Sequence, residues 1–168
     1  MHDDNSQIVA CIPRLRRYAR ALVGDRAEAD DLVQDTLERA WSKFTLWRRT
    51  GDVRAWLFSI MHNLHIDQVR RPRLATEALG DEALEVSVRA EQGDALTVRD
   101  IDAALRLLPH EQREIVLLVA LEQLTYDEVA KTLGIPVGTV MSRLSRGREK
   151  LRAVMEGRAM VSPLRVVK

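Results

Sequence analysis

The 168-residue chain contains a single cysteine, Cys11. No intrachain disulfide can form, and nothing calls for an oxidising compartment. Aromatic residues make up only 4% of the chain, so a large aromatic core is excluded. No apolar run approaches the roughly 18 residues that a membrane span needs. The first residues, MHDDNSQ, lack the basic start and apolar stretch of a secretory signal, and a cytoplasmic placement is expected. Also missing are a glycine-rich phosphate loop, a nucleophile motif and a catalytic carboxylate pair. Enzymatic chemistry is therefore not expected, and neither is a cofactor. His62 and His65 stand three residues apart, but the sequence offers no third ligand nearby, so no metal site is expected. Cys11 lies within an amphipathic segment and reads as a small packing residue.

The net charge of +1 conceals a segregation of charge. From Lys131 to Lys168 there are nine Lys and Arg against two Glu, whereas from Asp25 to Glu38 there are six acids against Arg26 alone. One end is suited to a polyanion and another to something else. The three tryptophans all fall between positions 41 and 56.

Helical periodicity dominates, and no segment reads as a strand. A first helix is expected from about residue 5 to 22, bent or split by Pro13. A second is expected from about residue 27, with Val33, Leu37, Ala40, Trp41 and Phe44 as its buried face. A third is expected over 53–70 on a stripe of Val53, Leu57, Ile60 and Leu64, ended by Arg71-Pro72 because the residue before a proline is pushed out of helical geometry. Residues 74–97 carry six acids, two glycines and mostly short side chains, the composition of a tether. Beyond it, helices are expected over 98–108, with Ile101, Leu105 and Leu108 sharing a face, and after Pro109. The fold class is all-α: two small helical domains, 1–73 and 98–156, joined by an acidic linker (74–97) and followed by a loose basic tail (157–168).

The most informative stretch is TYDEVAKTLGIPVGTVMSRLSRGREKL, residues 125–151. A short helix burying Val129, Ala130 and Leu133 leads to Gly134, which supplies a sharp turn. Pro136 then starts a second helix with Val140, Leu144 and Leu151 inward. Its outer faces carry Thr139, Ser142, Arg143, Ser145, Arg146, Arg148 and Lys150. Hydroxyls and guanidiniums at the front of such a helix reach base edges, and later cations grip phosphates. This is the pattern of a DNA-binding helix-turn-helix.

Two other segments narrow the reading. In DRAEADDLVQDTLERAW the buried stripe leaves Asp30, Asp31, Gln34, Asp35 and Glu38 outside. Such a face cannot bind phosphates and in a DNA-binding protein is suited to a protein partner. In FTLWRRTGDVRAWLFSIMHNLHIDQVRR, Trp47, Arg48, Arg49, Thr50, Gly51 and Asp52 form an interhelical turn. Aromatic rings and guanidinium planes there can stack on unpaired bases. Trp56, Ser59, Asn63, Ile66 and Arg70 follow as a stripe beside the core. Asn63 offers both donor and acceptor to a base edge, and Arg70, Arg71 and Arg73 suit a phosphate backbone. His62 and His65 are expected near that nucleic-acid face.

Taken in order, ADDLVQDTLERAW, VRAWLFSIMHNLHIDQVRR and LPHEQREIVLLVALEQLTYDEVAKTLGIPVGTVMSRLSRGREKLR resemble the extracytoplasmic-function (ECF) branch of the bacterial sigma-70 factors, over most of 14–71 and 98–152. The resemblance implies docking of Asp30, Asp31, Leu32, Gln34 and Asp35 on the clamp helices of the largest subunit of core RNA polymerase. It implies that the 47–52 loop and Asn63 handle the melted minus-ten element, and that Thr139, Ser142, Arg143 and Arg146 read the minus-35 element of promoter DNA. An anti-sigma factor is an implied partner. Gly147 stands where the family usually has alanine, which predicts a softer recognition helix by up to about 1 kcal/mol. The alternatives are a helix-turn-helix regulator acting without polymerase and a sigma mimic that sequesters an anti-sigma factor.

Overall fold

The computed structural model describes residues 2–47, 51–71 and 98–157. Seven helices run through them: α1 (His2–Val23), α2 (Arg26–Lys43), α3 (Val53–Arg70), α4 (Val98–Arg106), α5 (His110–Ala120), α6 (Tyr126–Leu133) and α7 (Val137–Met155). The expected linker and tail lie outside the described residues, as do the two domain boundaries around the linker.

The starts of α2, α3, α5, α6 and α7 have local causes. The Asp25 carboxylate accepts the Glu28 backbone N–H at 2.9 Å, and the Asp52 carboxylate accepts that of Arg54 at 2.9 Å. Thr125 and Glu128 form a reciprocal capping box at the head of α6. Gly134 ends α6 at φ +66°, a left-handed conformation that a side chain would strain. Pro109 and Pro136 sit at the N-caps of α5 and α7.

The N-terminal helices α1, α2 and α3 pack on one another, and α7 packs on α4, α5 and α6. The two groups are also packed together, α3 on α6 and α1 on α5. One continuous apolar core results, running from Ile8, Leu15, Leu32, Leu57, Phe58 and Met61 to Ile115, Leu118, Val129 and Val140. Tyr18 meets Phe58 edge-on at 4.9 Å inside it.

Several expectations are corrected. Pro13 neither ends nor divides α1; Pro13 and Val9 both face solvent, so the carbonyl that the proline leaves unbonded is on the wet side. Trp41 is 46% exposed instead of buried. The core edge of α2 is set by Ala29, Leu32, Val33, Thr36 and Ala40, which turns position 41 outward. Ile101, expected to share a buried face with Leu105 and Leu108, is 42% exposed.

Gly147 is explained by packing. It is buried in α7, and a Cβ there would lie 2.9 Å from Val116 Cγ2 and 3.4 Å from Gln112 Cβ on α5. The glycine lets the recognition helix approach its support closely. Gly147→Ala gains up to about 1 kcal/mol of helix propensity but must displace a β-branched side chain with one favoured rotamer. Overpacking of this kind costs about 1–3 kcal/mol, so thermal or denaturant unfolding should show a net loss. Adding Val116→Ala should remove the steric part of that loss.

Candidate nucleic-acid and polymerase interface

Three surfaces emerge from this scaffold. On α2, Asp30, Asp31, Gln34, Asp35 and Glu38 are exposed while Ala29, Leu32, Val33 and Thr36 are buried. Gln34 Nε2 donates to Glu38 Oε1 at 3.3 Å. Leu32, expected in the docking set, is 0% exposed. It anchors α2 in the core and cannot meet a partner, because burying it is what turns the acids outward. The sequence reading missed Trp41. With Val33, Leu37, Asp30, Gln34 and Glu38 it lines a groove closed on the other side by Arg16 and Arg20 of α1 and Arg26 of α2. An indole at the rim of a charged groove is the kind of anchor that protein interfaces use. The visible signal was the acids of its own helix, which place its neighbours in water.

The second surface lies at the start of α3. Trp47 stacks on Trp56 with ring centroids 5.2 Å apart and planes 22° from parallel, and Phe44 approaches Trp47 at 6.1 Å. Both indoles are half-buried, packed against the core. Arg48, Arg49 and Thr50 lie outside the described residues. The ends of their loop are nonetheless fixed: Trp47 by the stack, and Asp52 by its cap and a 3.5 Å ion pair with Arg54. Asn63, Arg70 and Arg71 are exposed along and beyond α3, while Ser59 and Ile66 are half-buried beside them.

The third surface is α7. Ser142, Arg146 and Arg148 are exposed, Thr139 and Arg143 half-buried, and Val140 and Leu144 face the core. Ser142 Oγ donates to the Thr139 carbonyl at 3.2 Å, and Arg143 lies 3.5 Å from Glu111 of α5. All five expected residues therefore share one helix with its polar side outward.

His62 and His65 are not on the nucleic-acid face. They point into the seam between the two helical groups, where His62 Nδ1 meets Glu114 Oε1 at 2.5 Å and the His65 ring lies 4.5 Å from that of His110. Burial lowers the His65 pKa from 6.5 to about 4, with His110, His62 and Arg113 adding to the effect. Cys11 is half-buried, and burial foremost raises its thiol pKa, as suits a packing residue. Among the described residues, no group of three or more His, Cys, Asp or Glu side chains is placed to hold a metal ion. No described helix is long and apolar enough to cross a membrane.

Comparison with known proteins identifies the two helical groups. Residues 8–62 match a family described as the sigma2 domain of PhyR, and residues 99–151 match sigma-70 region 4. The chain is 38% identical over 149 residues to the ECF RNA polymerase sigma factor EcfG of Rhodopseudomonas palustris, covering 88% of this chain and 82% of that one. It is 30% identical over 145 residues to SigW of Bacillus subtilis, covering 78% and 77%. Among solved structures, it superposes with a TM-score of 0.75 on the sigma factor RpoE of Bartonella quintana, solved with the anti-sigma factor NepR, at 29% identity over 93% of this chain and 98% of that one. CnrH, solved with the cytosolic domain of CnrY, gives 0.69 at 27% identity over 92% and 88%. With two such domains in this order and relatives that match across most of their length, the chain belongs to the ECF family of RNA polymerase sigma factors.

Proposed function

We propose that this sigma factor docks on the clamp helices of core RNA polymerase through Asp30, Asp31, Gln34 and Asp35 of α2, with Trp41 and Leu37 at the rim of the same groove. The Trp47–Thr50 loop, Trp56, Asn63, Arg70 and Arg71 engage the minus-ten element as it opens. Thr139, Ser142, Arg143, Arg146 and Arg148 of α7 hold the minus-35 element as duplex. The protein performs no covalent step: captured bases and docked phosphates supply binding energy, and the polymerase supplies catalysis. It works in the cytoplasm and is held in check by an anti-sigma factor, as its neighbour RpoE was solved with the anti-sigma factor NepR.

The observation that carries this reading is the division of α2, whose acids all face water while its small and branched residues fill the core. Asp31→Lys combined with Asp35→Lys should leave the fold intact, since both side chains are exposed. The affinity for core polymerase should fall at least tenfold in a titration, with promoter-directed transcription in vitro falling in step. An unchanged affinity would remove α2 from the interface. On the DNA side, Arg146→Ala should weaken promoter binding by about 1–3 kcal/mol if the guanidinium reads a base. If it grips a phosphate, affinity should drop for every sequence and the salt dependence should flatten.

A further inference from the structure

The seam between the helical groups is polar and built from pairs. Arg17 Nη2 reaches Glu122 Oε1 at 3.3 Å, Arg54 Nη1 donates to the Glu122 carbonyl at 3.2 Å, and Arg106 Nη2 donates to the Gly24 carbonyl at 3.3 Å. Beside them the His65 and His110 rings meet across the seam with centroids 4.5 Å apart and planes tilted by 36°. Both nitrogens of His65 and Nε2 of His110 are buried with no hydrogen-bond partner. Two imidazoles in such close contact with unpartnered nitrogens tolerate only neutral rings, because a proton on either would be desolvated and set against its neighbour.

The closed packing also conflicts with the function proposed above, on which the consequence for promoter binding rests. Elements centred ten and thirty-five base pairs upstream are separated by roughly 85 Å of duplex at about 3.4 Å per pair. A compact chain of this length is only roughly 40 Å across. With α3 packed on α6, one closed body cannot reach both elements, so the seam must part.

We infer that the His65–His110 contact makes the closed arrangement of the two domains proton-sensitive, so that mild acid parts the seam and frees the DNA-reading surfaces to separate. The charged groups around the pair are known. His62 stands one turn away on α3, and Glu111, Arg113 and Glu114 stand on α5. Glu28 and Asp31 of α2 and Arg70 and Arg71 after α3 line a cleft that His65 also borders, which gives protons access. Burial, the dominant cause, lowers the pKa of both rings; Arg113 and His62 lower that of His110 further, while Glu114 and Glu111 oppose this. The closed form therefore binds fewer protons than the open form. Its advantage is complete above pH 6.5 and is lost as the pH falls from there toward 4. From the two His65 values, the closed-to-open ratio drops about thirtyfold between pH 7.5 and 5.

Small-angle scattering of the full chain between pH 7.5 and 5, with far-UV circular dichroism at each point, reads the device without polymerase or DNA. The expected result is a rise in radius of gyration with unchanged helix content. Two double variants, His65→Gln with His110→Gln and His65→Leu with His110→Leu, should stay compact across the range. Should either fail to fold, the other carries the comparison. NMR titration of the wild-type rings gives a variant-free readout, with both midpoints expected below 6.5. Unchanged compactness at pH 5, opening retained in the variants, or ordinary ring titration would each overturn the inference. If the seam opens but promoter transcription is absent at every pH, the device stands and the sigma assignment of the surfaces fails.

Discussion

Arg113→Ala should lower the stability of the protein by about 3–5 kcal/mol, a large part of the roughly 5–15 kcal/mol that holds a domain folded. The Arg113 guanidinium is shared among four carbonyls: Nε donates to Leu105 O at 2.9 Å, Nη1 to Leu22 O at 3.1 Å, and Nη2 to Arg106 O at 2.9 Å and Leu108 O at 3.1 Å. The Leu105 and Arg106 carbonyls belong to the last turn of α4 and the Leu22 carbonyl to the last turn of α1, where helix carbonyls lack the usual partner four residues on; of the three, Leu105 O also accepts the Leu108 backbone N–H at 3.1 Å. One side chain from α5 therefore caps two helices and ties the N-terminal group to the C-terminal one. Alanine would leave part-buried acceptors unsatisfied, which costs more than the bonds were worth as a net gain. At about 2–4 °C per kcal/mol for a chain of this size, the midpoint of thermal unfolding should fall by about 10 °C or more. Arg113→Lys should restore little, because a single ammonium cannot present a planar fork to four oxygens. A loss below about 1 kcal/mol would show that water replaces the guanidinium freely.

The sequence was most legible where a single helix carries its own instructions. Thr125, Gly134 and Pro136 set the bounds of the helix-turn-helix by capping, a left-handed residue and a missing N–H, all local effects. The α2 acids and the α7 cations were likewise legible, since a helix with one buried stripe must put its charges on the other side. What escaped depended on long-range packing. Trp41 and Leu32 are both apolar, and the rotation of α2 against α1 and α3 separates them; the buried stripe is turned toward Ala29, Leu32 and Thr36, which leaves the tryptophan in the groove and the leucine in the core. His62 and His65 flank Asn63 closely enough to look like part of its surface, but their partners are 45 or more residues away on α5. Nothing in the local pattern reveals a contact across two domains. Arg113 was equally invisible, because a cation in the first turn of α5 reads as solvated until the ends of α1 and α4 are brought to it. Gly147 was read through helix propensity alone, and the approach of Val116 gives it another meaning.

Promoter opening should depend on the aromatic stack at the head of α3 more steeply than on any single cation. Trp47 and Trp56 occupy each other's faces, so between them they hold the ends of the 48–50 loop and leave one outer face for a base. Stacking one base on an aromatic contributes about 1–3 kcal/mol, comparable to the cost of unstacking it from the duplex. Removing the platform should therefore tip a near-balanced exchange back toward closed DNA. In the full chain with core polymerase, Trp56→Ala should reduce permanganate reactivity of thymines near the start site about tenfold or more while minus-35 protection persists. Asn63→Ala should act differently, because Asn63 is exposed and outside the stack. It should weaken capture of its own base by about 1–3 kcal/mol with no change in the unfolding midpoint. Replacing Arg48, Arg49 and Thr50 with glycine and alanine should combine the loss of opening with intact polymerase affinity. If Trp56→Ala opens the promoter normally once its folding is verified, the two indoles serve only to close the turn, and the bases are held elsewhere on α3.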